Sequence, residues 1–346
     1  MSDLDPRPVA LVTREVSPYR REPFALLDDA EGVEVLAWKD GDPTQLGAAR
    51  RVASGRHRAV VCGIAGRAAL PATYAAARRA GVPFVLWTSL WAHPRSPAHL
   101  VSRVPTRALY RGADAVVAYG PHVARYVEHE SGRANVFVAT QACEHRTSAD
   151  PRAAAAWRAR LGAGADSFVA LFAGRLVREK GIDVLTAAWR ESGLADAGGV
   201  LAVAGVGPAA PGGRGVRGLG WVDHLPPLHA AADVLVLPSA RTATFLEPWG
   251  LVVNEAMHQG TPVIASDAVG AVAGGLVQDG RNGLVVPAGD TGALTARLRA
   301  IAANPQLRDA LGAAAREDVA PYTPAAWADG VSAALASVHA SRRPRG

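Results

Sequence analysis

Short, almost continuously apolar segments alternate with helix-like segments along most of this 346-residue chain, and they do so in two successive series. The segments predicted as strands are residues 8–15, 33–38, 59–63, 83–89, 113–120 and 135–140 in the first series and 167–176, 199–207, 216–222, 232–239, 261–267 and 283–287 in the second. Strands that are apolar on both faces require helices on both sides, which is the arrangement of a parallel, doubly wound sheet. The pattern therefore predicts an α/β protein with two such sheets.

The length of the chain exceeds what one compact core usually holds and suits two Rossmann-like domains. Residues 144–166 contain no predicted strand and separate the two series, so we assign them as the interdomain linker. The predicted domains are residues 1–143 and 167–322, and we expect them to face each other across a cleft, with ligands at the carboxyl ends of the strands. Residues 323–346 are predicted to form a C-terminal helix and a basic tail, with packing back on the N-terminal domain as one option for the helix.

Composition excludes several classes of protein. Cys62 and Cys143 are the only cysteines, so neither a disulfide framework nor a cysteine-rich zinc site is expected. No apolar run reaches the roughly 20 residues that span a bilayer, and the acidic N-terminal residues lack the basic start of a secretory signal. A cytoplasmic location is therefore predicted. The net charge of +6 comes without a nucleic-acid-binding motif, so nucleic acid is not an expected partner.

Arginines recur every four residues in the first series, at Arg103, Arg107 and Arg111. If this segment is helical, they form a basic stripe of the kind that peripheral enzymes use at a membrane surface. Pro105 lies within the segment and disfavours a regular helix. Solvated arginines on an ordinary helix are the favoured interpretation, and peripheral contact with the inner face of the membrane is the second one.

The stretch AGRLVREKGIDVLTAAW places two cations where a predicted strand passes into a predicted helix. Gly174 and Arg175 end the strand, and Lys180 lies near the start of a helix predicted over residues 179–189. Cations beside unpaired helix-start N–H groups form a strong anion site, suited to a diphosphate. The alternative is a surface loop in which these cations pair with Glu179.

Two carboxylates stand eight positions apart in FLEPWGLVVNEAMHQGTPVIASD, at Glu247 and Glu255. Gly250 is predicted to begin a helix whose first amides, at Leu251 and Val252, have no partner within the helix. We expect these amides to hold a phosphate opposite the two cations, while Glu255 reaches a sugar hydroxyl and Glu247 a second ring. Paired carboxylates also occur in glycoside hydrolases, where they act as general acid and base, which is the alternative.

Three linked stretches resemble the retaining glycosyltransferases of family 4, members of the group 1 glycosyl transferases with the GT-B fold. AGRLVREKGIDVL resembles the family's G-R-x-x-x-x-K-G motif, FLEPWGLVVNEAMHQGTPVIASD its E-x7-E motif, and AGGLVQDGRNGLVVPAGD the segment that usually follows. They occur in the family's order over roughly residues 167 to 290. The resemblance implies transfer of a sugar, with retention at the anomeric carbon, from a nucleoside-diphosphate sugar to a hydroxyl acceptor.

The resemblance also implies a role for each residue of the predicted donor site. Arg175 and Lys180 would bind the donor diphosphate, Glu255 its ribose, and Glu247 the transferred sugar, so that Arg175, Lys180 and Glu247 act in catalysis. The other donor-binding residues that it implies are Gly174, Gly250, Leu251 and Val252 near the phosphates and Trp221 and Val222 near the base. It implies no obligatory cofactor and no metal ion.

The N-terminal domain departs from the family pattern. The Gly-Gly loop that many members carry after the first strand is absent, and TREVSPYRREPFALL places Tyr19 and Arg20 there as candidates for binding acceptor or phosphate. The stretch LWTSLWAHPRSPAHL offers His93 and Trp87 as further acceptor-side candidates. In both stretches, packing within a turn or a tryptophan-rich loop is the alternative.

Other functions stay open at the level of sequence. One is a related GT-B enzyme such as an epimerase or a phosphorylase, although a phosphorylase needs a pyridoxal-binding lysine and only Lys39 and Lys180 are available. Another is a catalytically inactive protein that binds a nucleotide-sugar. Gly205, Gly207 and Ala210 match the dinucleotide fingerprint of a dehydrogenase, but nearby prolines disfavour the helix that this fingerprint requires.

Overall fold

The computed structural model describes residues 5–39, 41, 43–66, 68–164, 166–209 and 211–340. The chain divides into two compact units. The first unit is Met1–Glu144 together with Tyr322–Gly346, and the second is His145–Pro321. Residues 341–346, which are most of the predicted basic tail, lie outside the described residues, as does Ala210.

Within the described residues, the first unit contains one six-stranded sheet. Its strands are β1 (Val9–Thr13), β2 (Val33–Ala37), β3 (Ala59–Gly63), β4 (Phe84–Thr88), β5 (Ala115–Ala118) and β6 (Val136–Val138). Their order is β2-β1-β3-β4-β5-β6, and neighbouring strands are parallel. The chain therefore winds from β1 to one edge and then returns to the other side of β1, which makes the sheet doubly wound.

Helices cover both faces of this sheet. They are α1 (Arg21–Glu31), α2 (Gln45–Ala53), α3 (Ala69–Ala80), α4 (Pro97–Gly112) and α5 (Pro121–Ser131). Val9 and Leu11 of β1 pack in one core with Phe24 of α1, whereas Ala10 and Val12 pack in a second core with α2, α3 and α5. Successive side chains of a strand point to opposite faces, so burial on both sides explains why the predicted strands are apolar at every position.

The described residues of the second unit form a second six-stranded sheet. Its strands are β7 (Val169–Ala173), β8 (Val200–Ala204), β9 (Val216–Gly220), β10 (Val234–Leu237), β11 (Val263–Ser266) and β12 (Gly283–Val286). Their order is β12-β11-β10-β7-β8-β9, and all neighbours are parallel. The winding reverses between β7 and β10, and the carboxyl ends of strands at such a reversal are the usual place for a ligand.

The helices of the second unit are α6 (Pro151–Leu161), α7 (Ile182–Ser192), α8 (Pro226–Ala231), α9 (Leu251–His258), α10 (Gly270–Ala273), α11 (Thr291–Ala303) and α12 (Pro305–Val319). The helix predicted over residues 179–189 begins instead at Ile182, because Gly181 has a left-handed φ of 69° and a short 3-10 turn, Arg178–Lys180, precedes it. The predicted linker, residues 144–166, holds α6, which packs against α8 as part of the second unit.

The last described helix, α13 (Pro324–Ala340), belongs to the first unit, where it packs against α1, β5 and β6. Trp327 is fully buried, and its ring centre lies 5.4 Å from that of Phe24 and 5.5 Å from that of Trp87. A Cβ atom on Gly330 would lie 2.4 Å from the backbone oxygen of Val138, so the helix approaches the sheet as closely as glycine allows. The first unit is therefore completed by residues from the far end of the chain.

Candidate functional site

A cavity of about 340 Å³ opens in the second unit beside the carboxyl ends of β7, β8 and β9. The residues that line it are Ala173, Gly174, Arg175, Lys180, Ala204, Gly205, Val206, Trp221, Val222, Leu225, Glu247, Gly250, Leu251, Val252 and Glu255. Every residue that the sequence assigns to catalysis or to donor binding is among them. The structure thus brings together residues that span more than eighty positions of the sequence, roughly from 173 to 255.

Backbone forms the wall of this cavity at the ends of β7 and β8. Gly174 N donates to Ala204 O at 2.9 Å and Leu176 N donates to Val206 O at 2.9 Å. The segments that follow β7 and β8 therefore stay hydrogen-bonded beyond the ends of these strands. A Cβ atom on Gly205 would lie 1.8 Å from Gly174 O, so only glycine permits this approach. The described residues after β8 form no helix before β9, which argues against the dinucleotide-fingerprint interpretation.

Lys180 ends a 3-10 turn that is fixed to the end of β10 by backbone contacts. Ala240 N donates to Glu179 O at 2.9 Å. Gly181 follows the turn, and a Cβ atom there would lie 2.0 Å from the backbone oxygen of Pro238. The ammonium group is therefore positioned by a rigid turn, and not by the start of a helix as the sequence predicted.

Glu247 is a buried carboxylate, 7% exposed, that forms an ion pair with Lys180 inside the cavity. The hydroxyl of Ser239 donates to the same carboxylate oxygen at 3.1 Å, and the hydroxyl of Ser266 donates to Ser239 O at 2.5 Å. Backbone hydrogen bonds on both sides of Glu247 attach it to residues 268–270. A charge-assisted network thus fixes both the cation and the carboxylate.

The start of α9 supplies backbone donors to the cavity. Gly250 precedes the helix with a φ of 91°, and a Cβ atom there would lie 2.7 Å from a leucine side chain of β10. Trp249 is 3% exposed, and its indole N–H donates to the buried side-chain oxygen of Asn254 at 2.7 Å, which ties the turn to the helix. The amides of Leu251 and Val252 belong to the first turn and have no acceptor within the helix.

Glu255 lies one turn further along α9, with its side chain 23% exposed. Its carboxylate oxygen Oε2 is 3.5 Å from Nε2 of His229, a fully buried residue of α8. Glu247 and Glu255 therefore occupy different surroundings, since one is ion-paired with a lysine and the other lies against an imidazole. This difference argues against the alternative in which the two carboxylates act as a general acid and base pair.

The open side of the cavity carries an exposed cation and exposed apolar side chains. Arg175 is exposed and has no ion pair with any residue that the structure describes. Trp221 is 72% exposed, and its indole N–H donates to Asp223 at 2.6 Å. Val206, which the sequence did not single out, is 56% exposed beside it in the cavity lining. Arg175 could contact the anionic part of a ligand here, and Trp221 could stack on a flat ring of the same ligand.

The first-unit candidates are placed differently. Arg20 is 3% exposed, and its guanidinium carbon lies 4.6 to 5.5 Å from the ring centres of four aromatic side chains, which are Tyr19, Trp87, Tyr119 and Trp327. It donates to the side-chain oxygen of Gln141 at 2.5 Å. Burial raises the pKa of the Tyr119 hydroxyl, and the Arg20 charge opposes that rise. The structure therefore places Arg20 in a cation–π cluster within the unit.

Trp87 and His93 also serve packing in the first unit. Trp87, which the sequence offered as an acceptor-side candidate, is 5% exposed and lies against Phe24, Tyr119 and Trp327, so it presents no open face to a sugar. Nε2 of His93 is 2.5 Å from the backbone oxygen of His99, which holds the loop to α4. The structure brings Tyr19, Arg20 and Trp87 together and leaves His93 outside their cluster.

Residues 167–304 match the family model described as Glycosyl transferases group 1. This match lies within the second unit. The matched range contains every residue that lines the cavity.

Curated relatives of the chain are similar to it over part of their length. The GDP-mannose-dependent alpha-(1-6)-phosphatidylinositol monomannoside mannosyltransferase of Mycolicibacterium smegmatis is 33% identical over 238 residues, which cover 62% of this chain and 60% of that protein. A D-inositol 3-phosphate glycosyltransferase of Streptomyces avermitilis is 32% identical over 274 residues, which cover 69% of this chain and 57% of that protein. The chain thus spans about three fifths of the length of these relatives.

Solved structures resemble the whole chain. Sucrose-phosphate synthase of Thermosynechococcus elongatus superposes with a TM-score of 0.76 at 22% identity, over 97% of this chain and 100% of that one. HepE of Anabaena, in complex with UDP and glucose, gives a TM-score of 0.73 at 21% identity, over 96% of this chain and 100% of that one. These similarities confirm the predicted fold class, a two-domain, Rossmann-like GT-B fold.

Replacing Gly181 with alanine should disturb the Lys180 turn. The new Cβ would meet the backbone oxygen of Pro238 and would also force a left-handed conformation on a non-glycine residue, so we expect a loss of more than about 2 kcal/mol in the free energy of unfolding. Gly193→Ala is the matched control, because Gly193 has a φ of 72° and nothing within 4 Å of the added atom. It should lose only about 1 kcal/mol. Urea unfolding of both variants measures the difference, and equal losses would show that the contact with β10 is unimportant.

Proposed function

We propose that this chain is a retaining glycosyltransferase of family 4, which moves a sugar from a nucleoside-diphosphate sugar to a hydroxyl acceptor. The observation that carries the proposal is the cavity of the second unit, where two cations, two carboxylates and the first amides of α9 surround one space. The activities for which the curated relatives are named, sugar transfer from GDP-mannose and to inositol phosphate, support the reaction class. The base, the sugar and the acceptor that those proteins use are not part of the proposal for this chain.

The donor diphosphate would lie between the two cations and the start of α9. Arg175 and Lys180 supply positive charge, while the amides of Leu251 and Val252 supply hydrogen-bond donors at the positive end of the helix dipole. Lys180 and the amides of α9 are in place before the ligand arrives, because the turn of Lys180 is set by a close backbone contact at Gly181 and the turn at Gly250 by close side-chain contacts. Fixed charges of this kind stabilise the negative charge that grows on a departing diphosphate. No metal ion is needed for this role in our proposal.

Glu247 would face the sugar that is transferred. In the ligand-free site its charge is balanced by Lys180, and a diphosphate would compete for that lysine. Donor binding would then free one lone pair of the carboxylate for the sugar hydroxyls while Ser239 keeps the side chain in place. Because Glu247 is already held by Lys180 and Ser239, we propose a positioning and electrostatic role for it. The acceptor oxygen would form the new bond to the anomeric carbon, and the departing phosphate would take the acceptor proton.

The rest of the nucleotide would follow the cavity outwards. Glu255 would accept hydrogen bonds from the ribose, and the base would lie near Trp221 and Val222 at the exposed rim. This order places phosphates, ribose and base along one continuous surface. It also gives the two carboxylates separate tasks, one at each ring that flanks the diphosphate.

Removing the ammonium group of Lys180 tests the assignment. Lys180→Ala should weaken binding of the nucleoside diphosphate by at least about ten-fold, because a charge-assisted contact to phosphate is lost. Lys39→Ala is the matched control, since Lys39 lies in the first unit and pairs with Glu15. Isothermal titration with UDP, GDP and ADP and with their sugars gives the affinities. An unchanged affinity in Lys180→Ala would remove the lysine from the donor site.

The same titrations, followed by assays of hydrolysis and transfer, distinguish an enzyme from an inactive binding protein. An enzyme of this class releases nucleoside diphosphate slowly from its donor even when the acceptor is absent. Tight binding of a nucleotide-sugar with no release under any condition would favour the inactive alternative. Absence of binding to every nucleotide-sugar would contradict the proposed function altogether.

Glu247→Gln should separate turnover from binding. The amide keeps the shape of the side chain but loses its charge, so we expect turnover to fall by about 100-fold. Affinity for the nucleoside diphosphate should stay the same or rise, because Lys180 no longer has a competing carboxylate. Glu179→Gln serves as the control, because Glu179 lies in the turn of Lys180 but does not line the cavity, and its kinetics should be unchanged. Equal losses of turnover and of nucleotide affinity would contradict a role beside the sugar.

We further propose that the first unit contacts an anionic membrane surface through α4. Val101 and Val104 are 78% and 73% exposed on this helix, which holds no acidic residue. Arg103 and Arg107 pair with buried Glu130 at 2.7 and 3.2 Å and hold the pKa of its carboxyl below the usual value, so two of the three stripe arginines also attach α4 to α5. None of the described helices is long and apolar enough to cross a membrane. Peripheral contact from the cytoplasm is the proposed mode.

Replacing both exposed valines with serine should weaken this contact. Val101→Ser with Val104→Ser removes the apolar surface that would enter the headgroup region, so we expect vesicle binding to fall by about ten-fold. The control is Leu46→Ser, which changes an exposed leucine of α2. Cosedimentation with vesicles of phosphatidylglycerol, compared with phosphatidylcholine, measures binding. Equal binding of the double variant and the unchanged chain would contradict the proposal.

A further inference from the structure

His229 lies on α8 behind Glu255, and it is fully buried. Both of its ring nitrogens are buried without a hydrogen-bond partner, which holds for no other histidine among the residues that the structure describes. Its Nε2 atom is 3.5 Å from Oε2 of Glu255, and Glu255 lines the cavity. Because buried polar groups are almost always hydrogen-bonded, an imidazole kept in this state requires an explanation.

The ring and the carboxylate are brought together by the packing of α8 against α9. The backbone of His229 is fixed on both sides, since its N–H donates to Leu225 O at 2.9 Å and its carbonyl oxygen accepts from the hydroxyl of Thr261 at 2.8 Å. A residue that only filled this space would be better apolar, because an apolar ring carries no desolvation cost. The position of Nε2 next to a cavity carboxylate therefore points to a role for the nitrogen itself.

We propose that His229 is a positioning residue that orients Glu255 for the ribose of the donor nucleotide. Nε2 faces Oε2 at 3.5 Å without a hydrogen bond in the ligand-free site, and a ring with its proton on Nε2 would donate to this oxygen after a small approach of the two side chains. The inference rests on the proposed function, in which the other oxygen of Glu255 accepts from the ribose hydroxyls. The last torsion of a free glutamate side chain is only weakly restricted, so holding one oxygen reduces the entropy lost when the ribose binds.

A matched pair of substitutions tests whether a nitrogen at the position of Nε2, next to Glu255, is required. His229→Gln places an amide nitrogen near the position of Nε2, whereas His229→Asn ends near the position of Nδ1 and does not reach Glu255. The probe is whichever of UDP, GDP or ADP the unchanged chain binds most tightly, together with its 2′-deoxy and 3′-deoxy forms. Isothermal titration should give an affinity about five-fold lower for the ribonucleotide in His229→Asn and nearly unchanged in His229→Gln.

The deoxy nucleotides separate positioning from a general change of structure. The unchanged chain should prefer the ribonucleotide, and His229→Asn should lose most of this preference while its affinity for the deoxy form that lacks the contacted hydroxyl stays within two-fold. Glu255→Gln should lose the preference as well, and adding His229→Asn to it should cause no further loss. Such non-additivity is expected only if His229 acts through Glu255.

Three results would overturn the inference. They are equal affinities of the asparagine and glutamine variants, equal losses for ribonucleotide and deoxy forms, and additive losses in the double variant. In each of these cases the unchanged chain still binds nucleotide, so the proposed function stands. If the unchanged chain binds none of the three nucleotides, the proposed function fails and this inference fails with it.

Discussion

The ion pair between Lys180 and Glu247 connects three strand ends of the second unit. Lys180 stands on the turn after β7, and Glu247 follows β10 and is supported through Ser239 and Ser266 at the ends of β10 and β11. Both side chains are largely withdrawn from water, at 14% and 9% exposure, so each charge depends on the other for compensation. In the proposed function, a diphosphate would meet a cation whose desolvation is already offset, so that binding would be an exchange of partners.

Close packing around glycines determines where the groups of the cavity lie. Of the glycines at 174, 181, 205 and 250, three would carry a Cβ within 3 Å of a neighbouring atom, which is backbone at Gly181 and Gly205 and a side chain at Gly250. Groups held by backbone reorganise little when charge develops near them, which is the property that electrostatic catalysis requires. The cavity is thus closely packed on the side where we propose that the phosphates bind, whereas Trp221 and Val206 lie exposed at its rim.

The sequence predicted the fold class, and it named ten of the fifteen residues that line the cavity, because both depend on local patterns. Two-sided apolar strands indicate parallel sheets, and the ends of parallel strands bring the residues that follow them to one edge. It did not predict the partners of these residues, since Ser239, Ser266 and His229 meet the glutamates only after strands and helices pack. The start of α7 was misplaced by three residues because helical periodicity at 179–181 outweighed the left-handed preference of Gly181. Trp87 was named as an acceptor-side candidate because an aromatic-rich stretch of sequence looks the same whether its rings bind sugar or fill a core.

Because α13 belongs to the first unit, this unit is discontinuous in sequence. In sequence, the second unit is an insertion within the first, because the segments Met1–Glu144 and Tyr322–Gly346 share one core. A fragment that ends at Glu144 lacks Trp327, and it would leave Phe24, Trp87 and the buried charge of Arg20 without one of their covering rings. The first unit therefore reaches its folded state only after the whole of the second has been synthesised. The second unit, whose residues are contiguous, is free to fold before the first is complete.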